Sequence, residues 1–446
     1  MSTIIIKNAK VVNENQIFYA DVLIENERII KINSQINLQK AHVEINAENL
    51  VLMPGVIDDQ VHFREPGLTH KGNIFTESRA AIAGGTTSFI EQPNTVPNAV
   101  THPVLEEKYT IASKNSFANY SFMLGGTNNN LEEIKKTNPL NIAGIKLFLG
   151  SSTGNMLVDN DQALEQIFLN TNLPIATHCE DENTIRRNNE IFKEKYGQQL
   201  NASHHPLIRS HEACYLSSSK AVALAKKTGA RLHVFHLSTA EELALFRNDI
   251  PLSEKKITAE VCIHHLWFSS EDYAQKGNFI KWNPAVKNAN DRAALWEALL
   301  NDTIDVIATD HAPHTFEEKS MPYIDAPSGG PLVQHSLVAM LDKYHEGKIT
   351  LEKIVQKMMH NPAILFNIKD RGYIREGYFA DLTLVDLNNP WSVDKQNILY
   401  HCGWSPFENH TFKSKIIHTF VNGHHMFNQG EIKSFNAGQR LFFNRD

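Results

Sequence analysis

From Gly55 onward, short apolar runs alternate with segments of helical pattern, and this alternation constrains the fold more than any other feature of the chain. The runs are Val56–His62, Thr86–Gln92, Tyr120–Leu124, Ala143–Leu149, Leu173–His178, Arg231–His236, Ile257–His264 and Ile304–Asp310. Helical candidates between them include Phe75–Ala83, Ala213–Lys227, Ala240–Arg247 and Ala289–Leu300. Such alternation is the pattern of a parallel α/β fold. Eight strand–helix repeats over about 310 residues predict a (β/α)8 barrel of the TIM type.

The flanks read differently. Short strands are expected at Ile4–Ile6, Ala20–Ile24, Ile29–Ile32 and Val51–Met53, and again after Pro362 at Ala380–Val385, Ser414–Val421 and His425–Phe427. The simplest architecture joins residues 1–53 and 368–446 into a small β-sandwich beside a catalytic barrel spanning 54–367. A chain of 446 residues, 42% hydrophobic and 21% charged, can bury a core of that size and is not disordered. Its net charge of -7 comes from mixed signs with no basic stripe, which argues against nucleic acid as the main partner. No window approaches 18 apolar residues and MSTIIIKNAK has no apolar signal core, so neither a membrane span nor secretion is expected. Cys179, Cys214, Cys262 and Cys402 form no CxxC pair, which fits reduced thiols in the cytoplasm.

Barrel enzymes carry their reactive groups at the C-terminal ends of the strands. Here those ends read His62, Gln92, Lys146, His178, His236 and Asp310. A single buried histidine is more often a core residue than a ligand. Several metal-competent residues at one end of one barrel weigh the other way, and imidazole with carboxylate suits zinc or a similar divalent ion with a position open to water. Lys146 sits inside an apolar strand. Burial lowers the pKa of its amine, and the neutral amine can take up carbon dioxide as a carbamate able to bridge two metals. The alternative is a lysine that snorkels to the barrel rim.

The motifs then resemble a known family. The run Val56-Ile57-Asp58-Asp59-Gln60-Val61-His62-Phe63-Arg64-Glu65-Pro66-Gly67 resembles the dihydroorotase motif D-x-H-x-H-x-R-E-P-G. Gln92-Pro93-Asn94-Thr95 is similar to the family's M-P-N-T, and Ile145-Lys146-Leu147-Phe148 to its carboxylated-lysine strand. Ala176–Glu180 and Val234–Ser238 resemble its later histidine strands. Asn283-Pro284, Thr309–His314 and Asp325–Gly330 resemble its N-P-P-L-R, T-D-H-A-P-H and following loop. Nearly the whole chain shares the resemblance, down to Gly377–Leu382.

That resemblance to the dihydroorotases, cyclic-amide hydrolases of the amidohydrolase superfamily, implies reversible hydrolysis of dihydroorotate to N-carbamoyl-L-aspartate in pyrimidine synthesis. It implies metal ligands at His62, Lys146, His178, His236 and Asp310, with Asp310 also the catalytic proton carrier. Arg64, Asn94, Asn283 and His314 would hold the substrate. Two departures stand out. Gln60 replaces the first motif histidine; strand alternation still points it toward the ligand positions, but a neutral amide oxygen is a weaker zinc ligand than imidazole. The expectation is therefore one zinc held firmly by N6-carboxylated Lys146, His178 and His236, and a second, weaker or absent, near His62 and Asp310. Lys287 stands where the family has arginine and loses its bidentate reach. His264 and His265 have no expected role beyond supporting the ligands.

A homodimer acting on a small molecule is the expected state. Hydantoinases, dihydropyrimidinases and allantoinases share the barrel and metals, and a catalytically silent scaffold for a transcarbamoylase is the rival from another class. Segment 317–331 is expected to act as a mobile cover with its hinge end at Gly329-Gly330 and Pro331, the alternative being an ordinary surface loop.

Overall fold

The computed structural model describes residues 3–38, 41–150 and 156–445. Five strands come first: β1 (Thr3–Asn13), β2 (Gln16–Glu25), β3 (Arg28–Asn33), β4 (Val43–Asn46) and β5 (Val51–Pro54). Eight more follow in one parallel sheet: β6 (Val56–Val61), β7 (Thr86–Glu91), β8 (Asn119–Gly125), β9 (Gly144–Phe148), β10 (Ile175–His178), β11 (Leu232–Val234), β12 (Ile257–Cys262) and β13 (Val306–Ala308). Their order in the sheet is their order in sequence. Past β13 the chain returns to β6, where Val61 bridges His311 and the His62 amide donates to the His311 carbonyl at 2.7 Å. The sheet is thereby nearly closed into a barrel.

Helices cover the outside, and local chemistry sets their ends. Asn73 and Thr76 form a capping box that starts helix Ile74–Ala83. Ser210 caps His211–Thr228, which stops at Gly229 with φ 74°. The candidate at Ala240–Arg247 is only a 3-10 turn, Glu241–Leu245, because Asn248, Asp249 and Pro251 leave too few residues for an α-helix.

The last strands are β14 (Leu382–Asp386), β15 (Trp391–Ser392), β16 (Thr411–Phe412), β17 (Lys415–Val421), β18 (His424–Asn428) and β19 (Glu431–Ile432). The two flanks meet where β14 pairs antiparallel with β5, giving one mixed sheet in the order β19-β18-β17-β14-β5-β1-β2-β3, with β4 on β1. It has its own core, including Ile6, Val22, Leu52, Leu384 and Phe420.

Inside the barrel, Ile57, Ile90, Met123, Ala176 and Val306 pack on Phe366, Leu441 and Phe443, which plug its N-terminal end. The opposite end is left to polar side chains. Among the described residues no helix is long and apolar enough to cross a membrane.

Candidate active site

A cavity of about 330 Å³ opens at the C-terminal ends of the strands. Its lining includes Gln60, His62, Arg64, Asn94, Lys146, His178, His236, Asn283, Asp310 and His314. These side chains come from segments up to 254 residues apart (314 minus 60). Arg64, His236 and Asp310 adopt left-handed backbone conformations, with φ of 72°, 40° and 48°. Non-glycine residues hold such angles only where the surroundings impose them, and here each lies just beyond a strand end.

The metal-competent groups form two pairs. In the first, Nε2 of His178 lies 2.9 Å from Glu180 Oε2, an oxygen that Arg209 also holds. The carboxylate accepts, so His178 donates through Nε2–H, and Nδ1 is the nitrogen turned toward His236. That Nδ1 is 2.9 Å from Nε2 of His236. Burial raises the Glu180 pKa, but Arg209 and then His178 outweigh it and hold the carboxyl at about 2.

In the second pair, Nδ1 of His62 meets the Asn94 side-chain oxygen at 2.8 Å, which leaves Nε2 facing Asp310 Oδ1 at 3.2 Å. Burial pushes the Asp310 carboxyl up to about 7, with His178, Lys146 and Arg64 opposing it. Lys146 is 1% exposed and its Nζ has no hydrogen-bond partner among the described residues. It lies 4.0 Å from the centroid of Phe235, and burial lowers its pKa to about 7.

A divalent metal fits this donor set. His236 Nδ1 and Lys146 Nζ are buried without partners, the His178 ring is held by Glu180, and a carboxylate faces a third imidazole.

The substrate-side residues share the cavity. Arg64 donates through Nε to the Pro313 carbonyl at 3.0 Å and touches His314 at 3.1 Å. Lys71 Nζ lies 3.0 Å from His314 Nδ1, and Nε2 of that ring lies 3.0 Å from the Ser328 carbonyl. The imidazole is neutral, with a pKa held well below the usual histidine range by burial and by Arg64. Asn283 Oδ1 accepts from His205, 3.1 Å away.

Gln92 does not reach the cavity; its amide donates back to the Asp59 and Ile90 carbonyls. Lys287 also lies outside, donating to the Ala285 carbonyl at 3.1 Å. His264 stacks on Trp282 with centroids 4.5 Å apart, and His265 donates to the Pro284 carbonyl at 3.1 Å.

The register of β6 against β7 shifts twice, first between Val56 and Ile57 and again beside the site. Between Asp58 and Val61 the register of β6 against β7 shifts, with Asp58 opposite Phe89 and Val61 opposite Glu91. Three steps on β6 thus span two on β7, a bulge. Asp58 turns to β13, accepting from the Thr309 hydroxyl at 2.6 Å, and does not share the face of Gln60 and His62.

The segment 317–331 is a fastened wall rather than a hinged cover. The buried Lys319 ammonium donates to the carbonyls of Lys281, Pro327 and Gly329, and Lys281 holds those of Tyr323 and Ala326. A side chain at Gly330 would collide with Trp282 and Trp404, so the supposed hinge is packed solid.

Reasoning from sequence alone passed over Lys71, Glu180, Arg209 and His205. For Glu180 a signal existed, since it lies two residues past His178.

The amidohydrolase family model matches residues 51–426, and the chain belongs to that family. Its members are usually metal-dependent. Within it the chain sits with the dihydroorotases. The dihydroorotase of Carboxydothermus hydrogenoformans is 35% identical, covering 94% of this chain and 96% of that one. The dihydroorotase of Methanosarcina acetivorans is 32% identical over 92% of this chain and 88% of the relative. Among solved structures, L-hydantoinase (dihydropyrimidinase) from Arthrobacter aurescens superposes with a TM-score of 0.94 at 27% identity, covering 99% of this chain and 100% of that chain. The dihydropyrimidinase from Brevibacillus agri NCHU1002, at 23% identity and a TM-score of 0.89 over 100% of both chains, shares the fold.

Proposed function

We propose that this cyclic-amide hydrolase interconverts dihydroorotate and N-carbamoyl-L-aspartate. The observation that carries the reading is a buried Arg64 in the same cavity as the His62–Asp310 and His178–His236 pairs. Dihydroorotate bears a fixed carboxylate beside the ring amide; hydantoins and dihydropyrimidines need not. Arg64 uses Nε and one terminal nitrogen on protein groups, which leaves donors for a substrate carboxylate. The Asn94 amide nitrogen and Asn283 add neutral polar groups for orientation.

Zinc bound by Lys146 (as its carbamate), His178 and His236, with a weaker ion near His62 and Asp310, would supply a water of lowered pKa and a Lewis acid for the amide carbonyl. Asp310 takes the proton released as water adds to that carbonyl. It then returns the proton to the departing ring nitrogen, and a carboxyl poised near pH 7 suits both transfers. Glu180 holds the His178 ring, and the fastened 317–331 wall excludes water on one side. We further assign the chain to the cytoplasm, in keeping with four free cysteines, and to a homodimer.

A hydantoinase-type activity is the second reading, favoured by the 0.94 TM-score to L-hydantoinase. The two separate in one assay: cyclisation of carbamoyl aspartate and hydrolysis of hydantoin and dihydrouracil, with metal analysis of the same sample. The expected result is carbamoyl aspartate turnover at least 100-fold above either neutral ring, lost with a raised KM in Arg64→Met. Turnover of the neutral rings alone would overturn the proposal.

A further inference from the structure

Beneath the cavity, inside the barrel, lies a second cluster that the reaction does not use. Asp59 of β6, His233 of β11 and Glu260 of β12 are each at most 0% exposed, and one ligand atom from each falls within 4.8 Å of the others. The three strands are not neighbours throughout, since β13 separates β12 from β6. The cluster therefore spans the barrel interior.

Its hydrogen bonding is incomplete in a directed way. His233 Nδ1 lies 2.8 Å from the Thr258 hydroxyl, whose own proton goes to the Leu232 carbonyl. The hydroxyl must therefore accept from Nδ1–H, and Nε2 is the nitrogen turned inward. Nε2 is 3.2 Å from Asp59 Oδ2 and 3.6 Å from Glu260 Oε2. Glu260 Oε1 is occupied by the His236 amide at 3.0 Å, while Oε2 and both Asp59 oxygens have no hydrogen-bond partner among the described residues. A charge-assisted imidazolium–carboxylate bond would close to about 2.7–2.9 Å. By contrast, tetrahedral ligands about 2.0 Å from a metal stand roughly 3.3 Å apart.

We propose that Asp59, His233 and Glu260 form a metal site distinct from the catalytic one, taking a divalent transition ion such as zinc. One imidazole and two carboxylates offset the ion's charge, and imidazole favours a transition metal over magnesium or calcium. The second Asp59 oxygen is available for a fourth position. A separate cavity of about 360 Å³ at the other end of the barrel has His233 and Thr258 among its lining residues, away from the catalytic groups. The ion would tie β6, β11 and β12 together beneath Lys146. Its role is structural, since apolar side chains fill the barrel around it.

The test is crystallography of the full chain grown with zinc, with anomalous data collected on both sides of the zinc edge. Equilibrium dialysis against zinc accompanies it for the unmodified chain, for Asp59→Asn and for the double variant His178→Ala/His236→Ala. The expected result is an anomalous peak within bonding distance of Asp59, His233 and Glu260. One equivalent of zinc should be lost in Asp59→Asn and retained in the double variant. A peak at the catalytic residues with none at the lower cluster would overturn this site and leave the proposed function standing. A lower peak alone would support the site and count against the catalytic metal. Equal zinc in Asp59→Asn and the unmodified chain would also overturn it. Should Asp59→Asn fail to fold, the anomalous map of the unmodified chain decides.

Discussion

The Glu180–Arg209 pair joins stability to metal binding, and substitutions can pull the two apart. Glu180 is 0% exposed and Arg209 8%, and they share Glu180 Oε2 with the His178 ring. Arg209→Met leaves a buried carboxylate whose one remaining partner is the imidazole N–H. Removing one member of a buried ion pair typically costs about 3–5 kcal/mol, and that is the loss expected in urea unfolding. Glu180→Gln strands the guanidinium instead and destabilises as well. Combining the two removes both charges, so the double variant should recover most of the loss, because a buried pair replaced as a unit is nearly neutral.

Metal binding should behave differently. In every variant carrying Glu180→Gln the anionic acceptor that fixes His178 in its Nε2–H tautomer is gone. Loss of such a group lowers metal affinity about 10–100-fold, or roughly 1.4–2.7 kcal/mol. Zinc competition titration against a chromogenic chelator measures it. The double variant is thus expected to be stable and weak in zinc. If it regains stability and binds zinc as tightly as the unmodified chain, Glu180 does not set the His178 tautomer, and the ligand geometry argued from that hydrogen bond is refuted.

Two further outcomes are expected. Lys319→Met deprives the carbonyls of Lys281, Pro327 and Gly329 of a buried donor; it should cost at least about 2 kcal/mol in urea unfolding and speed protease cleavage within 320–327. Gln60→His should raise zinc by up to one equivalent over the unmodified chain in elemental analysis, and equal zinc in both would mean that Gln60 already serves as a ligand or is bypassed.

The barrel was legible because parallel strands buried on both faces read as apolar runs, and every such run lies at a strand. Edges were less so: β11 is only Leu232–Val234, although the apolar run extends to His236, because His236 turns into a left-handed conformation that no hydropathy pattern signals. Site residues at strand ends could be read because a polar group ending an apolar strand is costly unless it is used. Arg209 and His205 could not, since His205 opens and Arg209 caps the short helix His205–Ile208, which lies between longer elements, and they reach the site only through tertiary packing. The fastening of 317–331 was hidden for a related reason. A lysine in a polar loop looks solvated, and only the fold shows that Lys319 points inward onto three carbonyls.

The bulge in β6 bears on both Asp59 and Gln60. In unbroken alternation Asp59 and Gln60 would face opposite sides of the sheet. The extra residue between Asp58 and Val61 allows both to serve the barrel interior, at different depths. Gln60 lines the upper cavity, with its amide oxygen 3.6 Å from Cys262 Sγ, while Asp59 reaches down to His233. Cys262 Sγ in turn lies 3.4 Å from Glu260, so the two levels touch through one thiol. A carboxylate at 59 thus adds negative charge to the lower level at the same strand segment where a neutral amide at 60 withdraws a strong ligand from the upper one. Burial lowers the pKa of the Lys146 amine to about 7 against the opposing pull of Glu260 from the lower cluster and Asp310 from the upper cavity, so the lysine feels the charge of both levels.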